Sequence, residues 1–143
     1  MKQFHHAGVS LAYPEDWTFE PEDHDDGWGL SLYSPGSAFL TVRCHRSTPT
    51  VEELAEAALA VMRGEYPDLE AEPRVESLGG QMALGHDMQF ISVDLTNTAW
   101  TRALYSDAGT LLFLCQTTDR DPGHYEPVLR AILLSLRIDE AEE

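Results

Sequence analysis

Apolar and polar side chains alternate with a period of two along much of the first third of the chain. One set of apolar residues comes before the turn signal "SPGS" at 34–37 and comprises Val9, Leu11 and Tyr13. A second set comes after it and comprises Leu40, Val42 and Cys44. Because successive side chains of a strand point to opposite faces of a sheet, this spacing predicts short strands with one buried face. Residues 9–46 are therefore predicted to form a meander of antiparallel strands.

The second half of the chain repeats this pattern between turn signals. "SLGG" at 77–80 is one turn, and "SDAGT" at 106–110 is another, with Gly109 free to adopt a positive φ. The run "LLFLCQTT" at 111–118 is apolar at both odd and even positions. A strand that is apolar on both faces is typical of the middle of a sheet, so this run is predicted to be central.

Two amphipathic helices are also predicted. Thr50 and Glu53 have the spacing of a capping box, and the first apolar stripe comprises Leu54, Ala58, Val61 and Met62. Asp121 is placed to cap the second helix, with Pro122 in its first turn. The stripe predicted for that helix comprises Tyr125, Val128, Leu129, Ile132 and Leu136.

The order of elements predicts an α+β fold, an antiparallel sheet of about six to eight strands with two main helices packed on it. The chain has 143 residues and neither repeats nor long linkers, so we predict a single domain over 1–143. Its acidic tail, 139–143, is predicted to be frayed.

The charge of the chain narrows the choice of partner. Twenty-five Asp and Glu residues against nine Lys and Arg give a formal net charge of −16. Such a surface repels nucleic-acid phosphates and anionic membranes, but it attracts a basic protein partner. The sequence has no apolar run that could span a membrane and no apolar segment typical of a signal peptide, so we expect a cytoplasmic protein.

Three segments resemble the Mog/PsbP-like fold family, which includes the DcrB-like bacterial proteins. They are "GVSLAYPEDW" at 8–17, "VESLGGQMALGHDMQF" at 75–90 and "VLRAILLSLRI" at 128–138. Each motif is weak alone, and their shared order carries the resemblance across almost the whole chain. The resemblance implies an α/β/α sandwich and a binding or chaperone-like role without a catalytic constellation. No partner-binding signature of the family can be matched to residues of this chain.

The stretch "EPEDHDDGWG" at 20–29 is the densest acidic cluster near an aromatic residue. It is not an EF-hand, because aligning Gly27 with the invariant glycine leaves Tyr33 where the bidentate glutamate belongs. A looser cation site and a hydrated turn between two strands remain as alternatives, and we favour the turn.

The same stretch supplies the candidate partner-binding residues Asp23, Asp25, Asp26 and Trp28. If the Trp28 ring faces outward among these acids, it forms an apolar contact that suits a basic protein partner. Trp100 lies two residues from Arg102, close enough on one strand face for a cation–π contact.

No motif predicts catalysis. His5 and His6, His24, His45, His86 and His124 show no zinc-ligand spacing, and Cys44 and Cys115 form no CxxC motif. We therefore predict no cofactor, no metal and no catalytic residue, and a non-enzymatic binding or chaperone-like protein. The alternative is a small-molecule or metal-dependent enzyme that uses a cleft between sheet and helix, with His45 or His86 as acid/base groups. The oligomeric state, including a homodimer, is left open.

Overall fold

The computed structural model describes residues 1–121 and 124–139. The chain forms ten strands and two helices within these residues. In chain order they are β1 (Lys2–His6), β2 (Val9–Tyr13), β3 (Thr18–His24), β4 (Gly27–Tyr33), β5 (Phe39–His45), α1 (Val51–Glu65), β6 (Glu70–Leu78), β7 (Gln81–Ser92), β8 (Leu95–Ser106), β9 (Gly109–Thr118), α2 (Glu126–Leu134) and β10 (Arg137–Ile138).

Seven of the strands form one antiparallel sheet in the order β3-β4-β5-β9-β8-β7-β6. Strand β9 lies in the middle, with β5 on one side and β8 on the other, which confirms the prediction for residues 111–118. Leu111, Phe113 and Cys115 of β9 have no exposed surface. The α+β fold with two helices on a sheet is confirmed as well.

Both edges of this sheet contain a proline and several acids. Pro21 lies in β3 and Pro73 lies in β6, and each edge strand also has three acidic residues. A proline removes a backbone donor from the outer row, and charged side chains disfavour pairing with another chain. The proline and the acids on each edge strand therefore disfavour the addition of a strand from another chain.

A second, smaller sheet has the order β1-β2-β10 and was not predicted as a separate sheet. Together with α2 it covers one face of the large sheet and completes the main core. Buried side chains of this core come from the small sheet, the large sheet and α2, and they include Leu11, Leu30, Val42, Phe113, Leu129 and Ile132.

Helix α1 packs on the opposite face, against β7, β8 and β9. The predicted cap is confirmed, since Thr50 Oγ1 accepts a hydrogen bond from Glu53 N at 3.1 Å. The predicted stripe is wrong at Val61, which is 69% exposed, while Leu59 is buried. Val51, Ala55 and Met62 mark the buried face of the helix. Successive residues of a helix are about 100° apart around its axis, so Val61 faces solvent when its neighbour Met62 is on the buried face.

Helix α2 begins later than predicted. Its cap is Tyr125, and Asp121 Oδ2 instead accepts a hydrogen bond from Ser37 N at 2.9 Å. Asp121 is thus used by the turn at 34–38, which explains why it does not cap the helix; Pro122 lies outside the described residues. Ile132 is buried as predicted, and so is Leu136 beyond the end of the helix.

Of the predicted frayed tail, residues 140–143 lie outside the described part of the chain. Asp139 N donates a hydrogen bond to Gly8 O at 2.8 Å. Neither helix described is long and apolar enough to cross a membrane.

Candidate functional site

The acidic stretch at 20–29 contains the predicted turn between two strands, but the turn is shorter than expected and most of the stretch is strand. Asp23 pairs with Trp28 and His24 with Gly27, so the β3–β4 ladder continues until only Asp25 and Asp26 remain between the strands. The cluster tolerates strand structure because β3 is an edge strand, where alternate side chains and one row of backbone groups meet water.

Trp28 does not face outward among the acids. Its side chain is only 7% exposed, and its ring lies 5.7 Å from that of Phe4 and 5.0 Å from that of His6, measured between centroids. The indole is therefore covered by the small sheet and packs in the main core. It cannot be the exposed apolar contact that the sequence suggested. Partner binding by this stretch stays a prediction and now depends on its carboxylates.

Asp26 holds the chain that follows β5. Its carboxylate accepts hydrogen bonds from Ser47 N at 2.9 Å and Ser47 Oγ at 2.6 Å, and it lies 3.7 Å from His45 Nδ1. The Ser47 hydroxyl is the main cause that lowers the pKa of Asp26. Asp23 and Asp25 are exposed and have no hydrogen bond or ion pair to another described side chain. The four predicted residues therefore do not act as one unit.

His45 and Cys44 point to opposite faces of β5 and have different environments. Burial, followed by the neighbouring His24 imidazole at 5.3 Å between ring centroids, lowers the pKa of His45. Burial raises the pKa of the Cys44 thiol and raises that of Cys115 much further. A thiol acts as a nucleophile through its thiolate, so both environments oppose that chemistry.

The second histidine proposed for catalysis, His86, lies under α1. It is 8% exposed, and its Nε2 is 3.7 Å from Glu56 Oε1. Strands β5 and β7 are three steps apart in the sheet, so His45 and His86 are separated by at least about 14 Å across it, and His45 lies further along its strand. Across residues 1–121 and 124–139, no group of three or more metal-ligating side chains converges.

A network of charged side chains crosses the other end of the sheet, on the face covered by α2. Arg102 is 1% exposed and donates to Glu76 Oε2 at 2.6 Å and to Asp87 Oδ1 at 2.8 Å. Asp87 also accepts from Arg74 at 3.1 Å, and Arg74 pairs with Glu72 at 2.8 Å. The buried guanidinium is thus neutralised by two carboxylates that remain about one third exposed.

The cation above Trp100 is not the predicted one. Arg130 of α2 places its guanidinium carbon 4.5 Å from the Trp100 ring centroid, whereas Arg102 is engaged by the carboxylates of Glu76 and Asp87. Arg130 also lies 3.6 Å from Glu76. The contact joins α2 to the sheet, and a sequence neighbour on one strand could not have revealed it.

Beside this network lies a cleft with two adjoining depressions of about 490 and 500 Å³, which share Glu70 and Gln89. We call it the acidic cleft. Four apolar residues line it, namely Tyr66, Phe90, Ile91 and Trp100, of which Phe90 and Trp100 are buried while Tyr66 and Ile91 are accessible. Six carboxylates line it: Glu65, Asp68, Glu70, Glu72, Asp87 and Glu126.

The acidic cleft and the acidic turn, by which we mean residues 23–26, lie at opposite corners of the sheet. The start of β9 is beside the turn, where Thr110 pairs with His45, and its end is beside the cleft, where Cys115 pairs with Trp100. Strands β4 and β7 are four steps apart, or about 19 Å. A single small ligand therefore cannot contact both.

Sequence reasoning missed the cleft although one signal was present. The segment "EYPDLEAEPR" at 65–74 contains four acids, one fewer than the stretch at 20–29, and it joins α1 to the edge strand β6. The sequence could not show that α2 completes the cleft, because Glu126 and Arg130 are distant from this segment along the chain.

Comparison with solved structures shows the fold of this chain. No protein-family model matches the sequence, and no curated protein matches it significantly. The solution structure of cyanobacterial PsbP (CyanoP) from Synechocystis sp. PCC 6803 aligns with a TM-score of 0.72 and 9% identity, covering 96% of this chain and 92% of that chain.

Two further solved structures are similar. A crystal structure from Bacteroides thetaiotaomicron VPI-5482 has a TM-score of 0.62 and 16% identity, over 99% of this chain and 50% of that chain. LpqN, involved in cell envelope biogenesis of Mycobacterium tuberculosis, has a TM-score of 0.54 and 13% identity, over 96% and 89%. At such identities the similarity shows a shared fold and no shared activity.

Proposed function

We propose that this chain, which has the Mog/PsbP-like fold, is a non-enzymatic binding or chaperone-like protein whose acidic cleft takes a basic segment of a protein partner. One observation carries the proposal. Among the residues described, four of the six cleft carboxylates have no ion-pair partner: Glu65, Asp68, Glu70 and Glu126.

Unpaired carboxylates that share a concave surface repel one another, and a bound cation relieves that repulsion. The chain's net charge of −16 adds a long-range attraction for a basic partner, which salt weakens. The apolar walls support a polypeptide rather than a free ion. Lysine and arginine can pack their aliphatic stems on the partly exposed Tyr66 while their charged ends reach the carboxylates.

The polar groups at the back of the cleft support binding more than catalysis. Asp87 is held by Arg74 and Arg102, and Arg130 is held over Trp100. Such paired groups form a preorganised wall that suits recognition of a partner.

The acidic turn is a second, separate contact in this proposal. Asp23 and Asp25 are exposed, and their charges are free to attract a basic surface. Asp26 contributes less, because Ser47 already binds its carboxylate. A partner long enough to reach both corners would contact the cleft and the turn together.

A charge-neutralising series tests the proposal. A fluorescently labelled oligolysine peptide is titrated into the wild type and into a Glu70→Gln, Glu126→Gln double variant, with fluorescence anisotropy as the measurement. Two exposed cleft carboxylates at about 0.5 kcal/mol each predict about fivefold weaker binding.

The matched control is Glu52→Gln with Glu53→Gln, which changes the net charge equally on the exposed first turn of α1. It is expected to change binding by less than about twofold. If both double variants weakened peptide binding equally, binding would depend only on the net charge of the protein, and the proposal would be contradicted. An Asp23→Asn, Asp25→Asn variant measures the contribution of the turn in the same assay.

A further inference from the structure

The turn between β7 and β8 has a backbone that its residues disfavour. Val93 and Asp94 connect the strands with φ angles of 53° and 62°. Two-residue hairpin turns with two positive φ angles favour asparagine and glycine, and a β-branched residue in this region is strained. Val93 therefore has a local cost that asparagine at the same position would avoid.

The strained residue is also the most exposed of the large apolar residues. Val93 is 90% exposed, and Ile91, two positions earlier, is 75% exposed. We call these two side chains the hairpin tip. Single exposed apolar residues are common, but Val93 is disfavoured by both solvation and backbone conformation, and a second exposed apolar side chain lies two positions before it in β7.

The hairpin tip adjoins the acidic cleft. Ile91 lines the cleft together with Tyr66 and Phe90, whose rings stack at 4.0 Å. Tyr66 and Val93 in turn line a neighbouring depression of about 420 Å³. Tyr66 therefore lies between Ile91 in the cleft and Val93 at the end of the hairpin, in a depression whose other lining residues are mostly polar and include Arg120.

Charge indicates what covers this surface. Glu65 and Asp68 line the cleft beside Ile91, and Asp94 follows Val93 in the turn. A second copy of this chain would bring the same carboxylates against each other, and an anionic membrane would be repelled. A cationic partner satisfies the acids, and an apolar side chain on that partner can cover Ile91 and Val93.

We infer that the partner segment is amphipathic, with basic side chains for the acidic cleft and apolar side chains for the hairpin tip. This inference rests on the proposed function and specifies the class of partner. Alternation of basic and apolar residues in an extended segment would present one set to the carboxylates and the other to Ile91 and Val93.

Two synthetic peptides of equal length and charge test the inference, one alternating lysine with leucine and the other lysine with serine. Fluorescence anisotropy is expected to show about tenfold tighter binding of the lysine–leucine peptide to the wild type, which corresponds to 1.4 kcal/mol. Val93→Asn is expected to remove most of this preference and, because asparagine tolerates a positive φ, to raise the melting temperature. Ile91→Ser removes the second apolar side chain without changing the turn.

The control is Leu134→Ser, which removes an equally exposed leucine at the end of α2 and is expected to retain the preference. Equal binding of both peptides by the wild type, unchanged in Val93→Asn and Ile91→Ser, would overturn the inference and leave the proposed function standing. Binding of neither peptide would overturn both. If Leu134→Ser reduced the preference for the lysine–leucine peptide as strongly as Val93→Asn, binding of apolar side chains at the hairpin tip would also be contradicted.

Discussion

Arg102 on β8 donates a hydrogen bond to Glu76 on β6 at 2.6 Å, although β7 lies between the two strands. The guanidinium extends across the middle strand beneath α2, where only 1% of its side chain is exposed. A charge so placed is tolerable only when paired, so this contact ties the edge strand that borders the acidic cleft to the centre of the sheet.

Removing this guanidinium is expected to be costly. Arg102→Ala should lower the free energy of unfolding by about 3 kcal/mol, the low end for breaking a buried pair, because the remaining carboxylates are partly hydrated. Urea denaturation measures it. The control is Arg74→Ala, which removes a half-exposed partner of Asp87 and should cost less than about 1 kcal/mol. Similar losses in both variants would refute the assigned role of Arg102.

Two glycines should respond to alanine in opposite directions. A Cβ at Gly85 would lie 1.9 Å from Thr101 O, whereas a Cβ at Gly64 in α1 meets nothing within 4 Å. Gly85→Ala must therefore separate β7 from β8, and we expect a loss of more than about 2 kcal/mol. Gly64→Ala should gain up to about 1 kcal/mol from helix propensity. Thermal unfolding of the two variants decides the point, and a stable Gly85→Ala protein would contradict the strand packing.

Local patterns predicted the parts of the fold that depend on local rules. Period-two alternation identified strands, and two-sided apolarity located β9 at the centre of the sheet. The Thr50 cap was predictable because its hydrogen bond spans only three residues. The resemblance to the Mog/PsbP-like fold added the overall arrangement, and the structure confirms it.

Contacts between distant segments were not predictable in this way. Asp121 has the sequence of a helix cap but binds Ser37, 84 positions away, and Trp28 is buried by residues of the first strand. Neither partner is visible from local sequence. The same limit hid the acidic cleft, whose walls come from α1, the large sheet and α2.

The cap of α1 gives a further test. Thr50→Ala removes the oxygen that accepts from Glu53 N, and caps of this kind contribute about 1 kcal/mol. Thr50→Ser keeps an oxygen in the same place and should retain most of that stability. Unfolding by urea separates the two. If the alanine and serine variants were equally destabilised, the hydrogen bond would not be the source of the effect.

His45 makes stability depend on pH. Because the pKa of His45 is lowered in the folded state, the folded protein holds this proton more weakly than the unfolded chain. Stability should therefore fall as pH drops below about 6.5, the ordinary histidine value. His45→Gln should lose this part of the dependence. Urea unfolding at several pH values between about 8 and 5.5 measures it, and a constant difference between wild type and variant would contradict the assignment.

The acidic cleft is proposed to bind a basic segment of a partner. Amide chemical shifts of the isotope-labelled protein, recorded by NMR during titration with the oligolysine peptide, locate the contact directly. Shifts are expected to concentrate near Glu70, Gln89 and Glu126, with a smaller group at Asp23 and Asp25. Shifts spread evenly over the acidic surface, or confined to the β3–β4 turn, would contradict the proposal.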